Sequence, residues 1–224
     1  MLVEKTMDPG WLSNAFAVAD DERGTALIVD SGPDVGPLVA AVDAWGATVA
    51  AILRTHSHHN HIVHEDELRE RYRVPVIAEP GAWSFGELRV LGIATPGHSD
   101  DMVAFHVGDV IFTGDTLFKD AVGGGNLEQV RNSVMDTFMA LPDDTRVLPG
   151  HTDETTIGRE REHNPFVRVW SGVEPEGTEQ VRVNGRDARL IVWSPDYDGK
   201  GKAWVRFADD GADAIVGGSR VERP

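Results

Sequence analysis

Two rhythms of apolar and polar positions run along this chain. Asn14–Ala19 and Thr25–Asp30 are short apolar runs on either side of the polar turn Asp20–Gly24, which predicts a pair of strands. In 34–45 the apolar positions Val35, Leu38, Val39, Val42 and Trp45 recur at helical spacing. Thr48–Leu53 is a continuous apolar run of strand length, and the charged stretch 62–72 predicts a helix. Short strands are predicted at 75–78 and 87–94, and a hairpin at 102–107 and 110–113 turns at Gly108-Asp109. The longest helix is predicted over 127–141. A short strand at 146–148 follows it, then a helix at 155–162 that stops before Pro165, because the residue preceding proline disfavours helix. Strands and helices in this alternation predict an α/β fold of sheets covered by helices.

The rhythm changes after Pro165. Strand patterns at 180–183 and 189–193 flank Asn184-Gly185, and those at 203–207 and 213–216 flank Asp210-Gly211, two hairpin signals. The expected division is therefore a body over 1–165 and a small β-rich appendage over 166–224. Charge follows the same division. Residues 1–165 carry 12 Lys and Arg against 27 Asp and Glu, a net −15, whereas 166–224 carry 9 against 10.

Composition narrows the function classes. At 224 residues, 41% hydrophobic and 26% charged, the chain has enough apolar content to bury a core and is not of a disordered type. A formal net charge of −16 opposes phosphate backbones, so no nucleic-acid partner is expected. The absence of cysteine excludes disulfides, thiolate metal sites and a cysteine nucleophile. No basic segment followed by an apolar run opens the sequence, and no stretch approaches the roughly 18 apolar residues of a membrane span, so a cytoplasmic protein with no membrane partner is expected.

The candidate chemistry lies in the histidines. All nine fall between His56 and His163, and five fall within His56–His64. The segment Thr55-His56-Ser57-His58-His59-Asn60-His61 directly follows the apolar strand 48–53. Residues at the carboxyl end of a buried strand face the crevice where α/β sheets place ligands. His56 and His58, two apart on extended backbone, project to one side and can share an ion, and His61 can face a second one. Neutral imidazole suits zinc or iron. Three later segments each end a strand with a tight turn and one ligand-type residue: Thr95-Pro96-Gly97-His98, Phe112-Thr113-Gly114-Asp115 and Leu148-Pro149-Gly150-His151. His59, His64, His106 and His163 read as solvated or structural, Gly123–Gly125 as a plain loop, and Trp11, Trp193 and Trp204 as core. Lys119, four residues past Asp115, is a candidate contact for an anionic substrate group.

In this order the segments resemble the metallo-β-lactamase-fold hydrolases, and most of all their hydroxyacylglutathione hydrolase (glyoxalase II)-like branch. The family pattern H-x-H-x-D-H, then His, Asp and His, matches His56, His58, Asn60, His61, His98, Asp115 and His151. The stretches 113–118 and 149–158, with Asn164-Pro165, resemble that branch closely, and the likeness covers about residues 12–166. The resemblance implies a four-layer αββα sandwich with a two-metal site between the sheets. His56, His58 and His98 would hold the first ion, His61 and His151 the second, and Asp115 would bridge them.

Two departures from the pattern matter. Asn60 replaces the family's aspartate, and a neutral amide is a weaker ligand for a divalent ion, so the second site should bind less tightly. The connection between Glu79 and Glu87 is short, and the β-rich tail stands where the glyoxalase branch has a helical, glutathione-gripping domain. The expected activity is hydrolysis of a small thioester or ester with one or two zinc ions, Asp115 positioning the attacking water and Asn60 unable to act as the base. Two other readings compete with it. One is a mononuclear iron oxygenase resembling the persulfide dioxygenases, with iron on His56, His98 and Asp115. The other is a weakened, metal-binding member without turnover.

Overall fold

The computed structural model describes residues 1–224. The first sheet contains β1 (Leu2–Met7), β2 (Asn14–Ala19), β3 (Thr25–Val29), β4 (Thr48–Leu53) and β5 (Val76–Ile77), in that spatial order. β1 to β3 run antiparallel, and β4 and β5 join in parallel. The second sheet contains β6 (Gly81–Phe85), β7 (Leu88–Ala94), β8 (Val103–Val107) and β9 (Val110–Gly114). A ribbon of β10 (Leu117–Phe118) and β11 (Ala121–Val122) follows β9. The sheet then continues with β12 (Arg146–Pro149), parallel to β9, and ends on β13 (Thr155–Thr156). Neither β1 nor β6 was predicted. The burial of β1 follows no period of two, and β6 is a short edge strand whose alternation rests on Trp83 and Phe85 alone.

The two sheets face each other. Phe16, Val18, Leu27, Val29, Ala51 and Leu53 from the first interdigitate with Val90, Val103, Phe105, Val107, Phe112 and Leu148 from the second. Both faces of β2, β4 and β9 are covered, which explains their nearly unbroken apolar runs. Outside the first sheet, Leu38 and Val42 of α1 (Gly36–Trp45) pack on Ala17, Ile28 and Ile52. After β4 the chain makes one short turn, α2 (His59–Ile62), and then α3 (Glu65–Tyr72), which adds Leu68 to the same layer. The single helix predicted over 62–72 is thus two pieces broken at Val63-His64. Outside the second sheet lie α4 (Leu127–Asn132), prolonged by a wide turn and a tight turn to Ala140, then α5 (Ile157–His163) and α6 (Pro165–Trp170). This is the expected four-layer αββα sandwich.

The change of pattern at Pro165 is not a structural boundary. Asn164 caps α6, its side-chain oxygen accepting from Phe166 N and Val167 N, and Phe166, Val167 and Trp170 pack with Ala104 and Ile111 of the body. The β-rich segment begins at β14 (Glu179–Val183) and continues through β15 (Arg186–Ser194), β16 (Lys202–Phe207), β17 (Asp213–Gly217) and β18 (Val221–Glu222), in spatial order β17-β16-β15-β14-β18. Its residues Ile191, Val192, Trp204 and Ile215 belong to the same apolar cluster as α4, α5 and α6, so this third sheet is a further layer on the helices. Trp204 is core as expected, whereas Trp11 and Trp193 are exposed.

Candidate metal centre

The strand ends deliver their ligand-type residues to one place. His56 and His58 follow β4, His98 follows β7, Asp115 follows β9 and His151 follows β12. His61 lies in α2, fully buried. Gly114 turns the chain at the end of β9 with φ +48, in a position where a Cβ would lie 2.8 Å from Thr55, and so aims Asp115 inward. Gly150 is needed for room: a Cβ there would collide with Oδ1 of Asp115.

Two clusters share Asp115. In the first, Nδ1 of His58 lies 3.0 Å from Nε2 of His56 and 3.0 Å from Nε2 of His98. Nitrogens bound 2.0–2.1 Å from a tetrahedral ion sit about 3.3 Å apart, so this trio needs only a slight opening to hold one. In the second, Nε2 of His61 lies 3.4 Å from Oδ1 of Asp115, and Nε2 of His151 lies 3.3 Å from its Oδ2. The same Oδ2 is 3.5 Å from His98 Nε2 and 4.0 Å from His56 Nε2, so the carboxylate stands between the clusters. His61 Nε2 and Asp115 Oδ1 are buried with no hydrogen-bond partner. Orphaned atoms of this kind are costly unless something binds them, and their donor set fits a divalent ion. Asn60 reaches the second cluster, its Nδ2 3.4 Å from His151 Nε2.

Most of the ring nitrogens facing away from the centre are held. His151 Nδ1 donates to Leu12 O at 2.9 Å, and His98 Nδ1 donates to Gly124 O at 2.9 Å. The glycine loop 123–125 therefore orients the His98 ring through its backbone. His61 Nδ1 donates to Asp30 Oδ2 at 3.1 Å. Thr55 Oγ1 donates to the same oxygen at 2.8 Å and accepts from His56 Nδ1 at 3.1 Å. Partners of this type fix the tautomer and leave Nε2 facing the centre. Asp101 ties the His56–His58 and His98 loops together, accepting from Ser57 N at 2.9 Å and from Ser99 Oγ at 2.7 Å.

Electrostatics follow burial. Burial draws the His56 imidazole down to about 4 against the attraction of Asp115, and lowers His98 as well. For His61, burial works in the same direction, but the Asp115 and Asp30 carboxylates outweigh it and push the ring up to about 10. Burial would raise Asp115, and the His151 and His61 rings hold it well below the usual carboxylate range instead.

Asp30, Leu12 and Asp101 were missed in the sequence. Asp30 closes the apolar run 25–30 and carries φ +57, an uncommon backbone for a non-glycine residue, but neither signal is legible from a strand pattern. Lys119 is half-buried and 3.5 Å from Asp153, so the structure pairs it with an acid. His64 pairs with Glu67 on the surface. Trp11 is at the rim, its indole edge-on to His59 at 5.5 Å between ring centres. From the far end of the chain Tyr197 stacks on His151, 4.1 Å between centres and 10° from parallel. Burial, with Asp115 adding to it, pushes this phenol up to about 12.

No family model matches the sequence. Curated relatives do. The chain is 30% identical over 200 residues to the probable metallo-hydrolase YqgX of Bacillus subtilis, covering 71% of this chain and 94% of the relative. It is 32% identical over 210 residues to the hydroxyacylglutathione hydrolase of Chromohalobacter salexigens, covering 69% and 82%.

The chain belongs to the metallo-β-lactamase superfamily.

Solved members of that superfamily share its fold. The crystal structure of the BLEG-1 B3 metallo-β-lactamase matches with a TM-score of 0.68 and 26% identity over 74% of this chain and 99% of the other. That of ETHE1 from Myxococcus xanthus matches with a TM-score of 0.66 and 25% identity over 78% and 92%. The superfamily is one of metal-binding, generally hydrolytic enzymes, and the His and Asp clusters are where this member would hold its metal. No helix is long and apolar enough to cross a membrane.

Proposed function

We propose that this member hydrolyses a small thioester or ester with one or two zinc ions. The first would be held by His56, His58 and His98, and the second by His61, His151 and the shared Asp115. The observation that carries this reading is the convergence of four imidazoles, those of His56, His61, His98 and His151, on one buried, ionised carboxylate whose Oδ1 makes no hydrogen bond in the protein, with His58 beside two of them. A divalent ion in such a set supplies Lewis acidity and lowers the pKa of its bound water toward about 7. Asp115, held ionised, would orient the attacking water. His56 and His98, neutral through burial, keep lone pairs on the centre at ordinary pH. Asn60 offers an amide N–H rather than a carboxylate, so it positions groups and takes up no proton. His58 is exposed and His98 partly so, which makes that side the entrance for substrate. With no cysteine, attack by water is favoured over attack by a thiolate side chain. The hydroxyacylglutathione hydrolase relative supports a thioester as the bond cleaved.

A second reading rests on the spacing of Asp115 Oδ2 from His98 and His56 Nε2, 3.5 and 4.0 Å. Two histidines and one carboxylate are an iron-binding set with open positions, and Asn60 is outside it. Metal analysis of the purified chain with parallel assays separates the two. Zinc with thioester or ester cleavage supports the hydrolase, whereas iron with thiol-dependent oxygen uptake overturns it.

A further inference from the structure

The strand β15 ends at Ser194, and seven residues, Pro195-Asp196-Tyr197-Asp198-Gly199-Lys200-Gly201, lead back to β16. The loop closes on itself. Asp196 accepts from Tyr197 N with Oδ1 and from Gly199 N with its carbonyl, and Asp198 Oδ1 accepts from Lys200 N. Its base is pinned by an ion pair, Lys202 Nζ to Asp196 Oδ2 at 2.9 Å, with side chains only 11% and 4% exposed. A pair this sheltered from water is little screened, so it holds the loop in one position. What the loop presents there is Tyr197. One face of its ring covers His151, Phe118 meets it edge-on at 5.6 Å between centres, and the phenol oxygen has no hydrogen-bond partner in the protein.

We infer that the C-terminal sheet completes the active site, with Tyr197 walling the substrate pocket over His151 and its free hydroxyl donating to an oxygen of the bound substrate. The YqgX relative matches over 94% of its own length but only 71% of this chain, so about three tenths of the residues here lie outside the shared part. A phenol is a neutral donor at ordinary pH and suits an uncharged carbonyl or a carboxylate oxygen. Lys119, the cation expected to greet an anion, is paired with Asp153. The geometry therefore favours small acyl groups recognised by a neutral hydrogen bond beside aromatic surface. This inference rests on the hydrolase reading for its substrate.

The test uses the full chain loaded with metal, comparing the parent with Tyr197→Phe and Tyr197→Leu. Tyr197→Phe keeps the stacked ring and loses only the hydroxyl. It is expected to hold the same metal per chain, to lower kcat/KM for phenyl thioacetate about five- to tenfold, and to weaken mercaptoacetate binding to the cobalt-loaded protein by a similar factor, the size of one lost hydrogen bond. Tyr197→Leu is expected, in addition, to shift the ring-proton resonances of His151, because the stacked ring current is gone. If Tyr197→Phe matches the parent in both kcat/KM and mercaptoacetate affinity, the hydroxyl touches no substrate and the inference fails. If the parent holds metal but cleaves no ester or thioester, the hydrolase reading fails, and the mercaptoacetate titration judges Tyr197 by itself. A fivefold weakening then sustains its role, and equal affinity overturns it.

Discussion

The Asp30 carboxylate accepts from His61 Nδ1 at 3.1 Å through the same oxygen that accepts from Thr55 Oγ1 at 2.8 Å. Because Thr55 in turn accepts from His56 Nδ1, one buried carboxylate orients a ligand residue in each cluster. Asp30→Asn should therefore weaken zinc binding at the second cluster about 10–100-fold, the usual cost of losing a partner behind a ligand. The first cluster, reached only through Thr55, should lose less. Competitive zinc titrations of parent and variant measure both, and equal weakening at the two clusters would contradict this division.

Acidity should separate the two ions as well. In the metal-free chain His61 is pushed up to about 10, against about 6.5 for a free imidazole. Its ion pairing with Asp115 and Asp30 thus stabilises the metal-free fold fully below about pH 6.5, and that contribution is lost as pH rises through about 10. An ion entering the second cluster must displace this proton. Its affinity should rise about tenfold per pH unit between pH 7 and 9. His56, drawn down to about 4, and His98, also lowered, carry no such proton, so binding at the first cluster should depend less on pH. Zinc titrations across that range give the two slopes directly, and a flat second slope would refute the protonated His61.

Asn60 should limit the second site. Its amide nitrogen stands 3.4 Å from His151 Nε2, where a carboxylate would add a full charge beside the ion. Asn60→Asp is expected to tighten the second zinc by more than tenfold, beyond what a partner behind a ligand contributes, and to raise thioester turnover with it. Equilibrium dialysis and initial rates on the same preparations check this. Two equally tight ions in the parent chain would show that position 60 does not govern occupancy.

Gly150→Ala should empty the centre while sparing the body. The new Cβ would collide with Oδ1 of Asp115 and lie 2.9 Å from Cε1 of His61, yet this glycine is not among those with positive φ, so no backbone strain is added. Metal per chain should fall well below the parent value, with far-ultraviolet dichroism unchanged. Retention of two ions by this variant would mean that the site is looser than the packing shows.

How much was legible in the sequence depends on how local the signal is. Each ligand residue but His61 stands just beyond a strand or its turn, and hydrophobic runs mark strand ends well, so His56, His58, His98, Asp115 and His151 could be read as one rim before any fold was known. His61 came with them because it shares their short segment. Sheets covered by helices were readable for the same reason, since strands covered on both faces lose their alternation, whereas the four-layer αββα arrangement followed from the resemblance. The sequence could not reveal Asp30, Leu12 O or Gly124 O as partners, because a backbone carbonyl has no residue signature and Asp30 ends an ordinary strand pattern. Nor could it reveal that α6 belongs to the body or that Tyr197 lies on His151. The packing of α6 joins Phe166 and Val167 to the distant Ala104 and Ile111, and Tyr197 meets His151 across 46 positions in a layer whose Ile191, Val192 and Trp204 pack on the helices. Ligand identity was thus fixed locally by strand ends and turns, whereas ligand orientation and the wall of the pocket were decided by packing between distant segments, which no periodicity along the chain encodes.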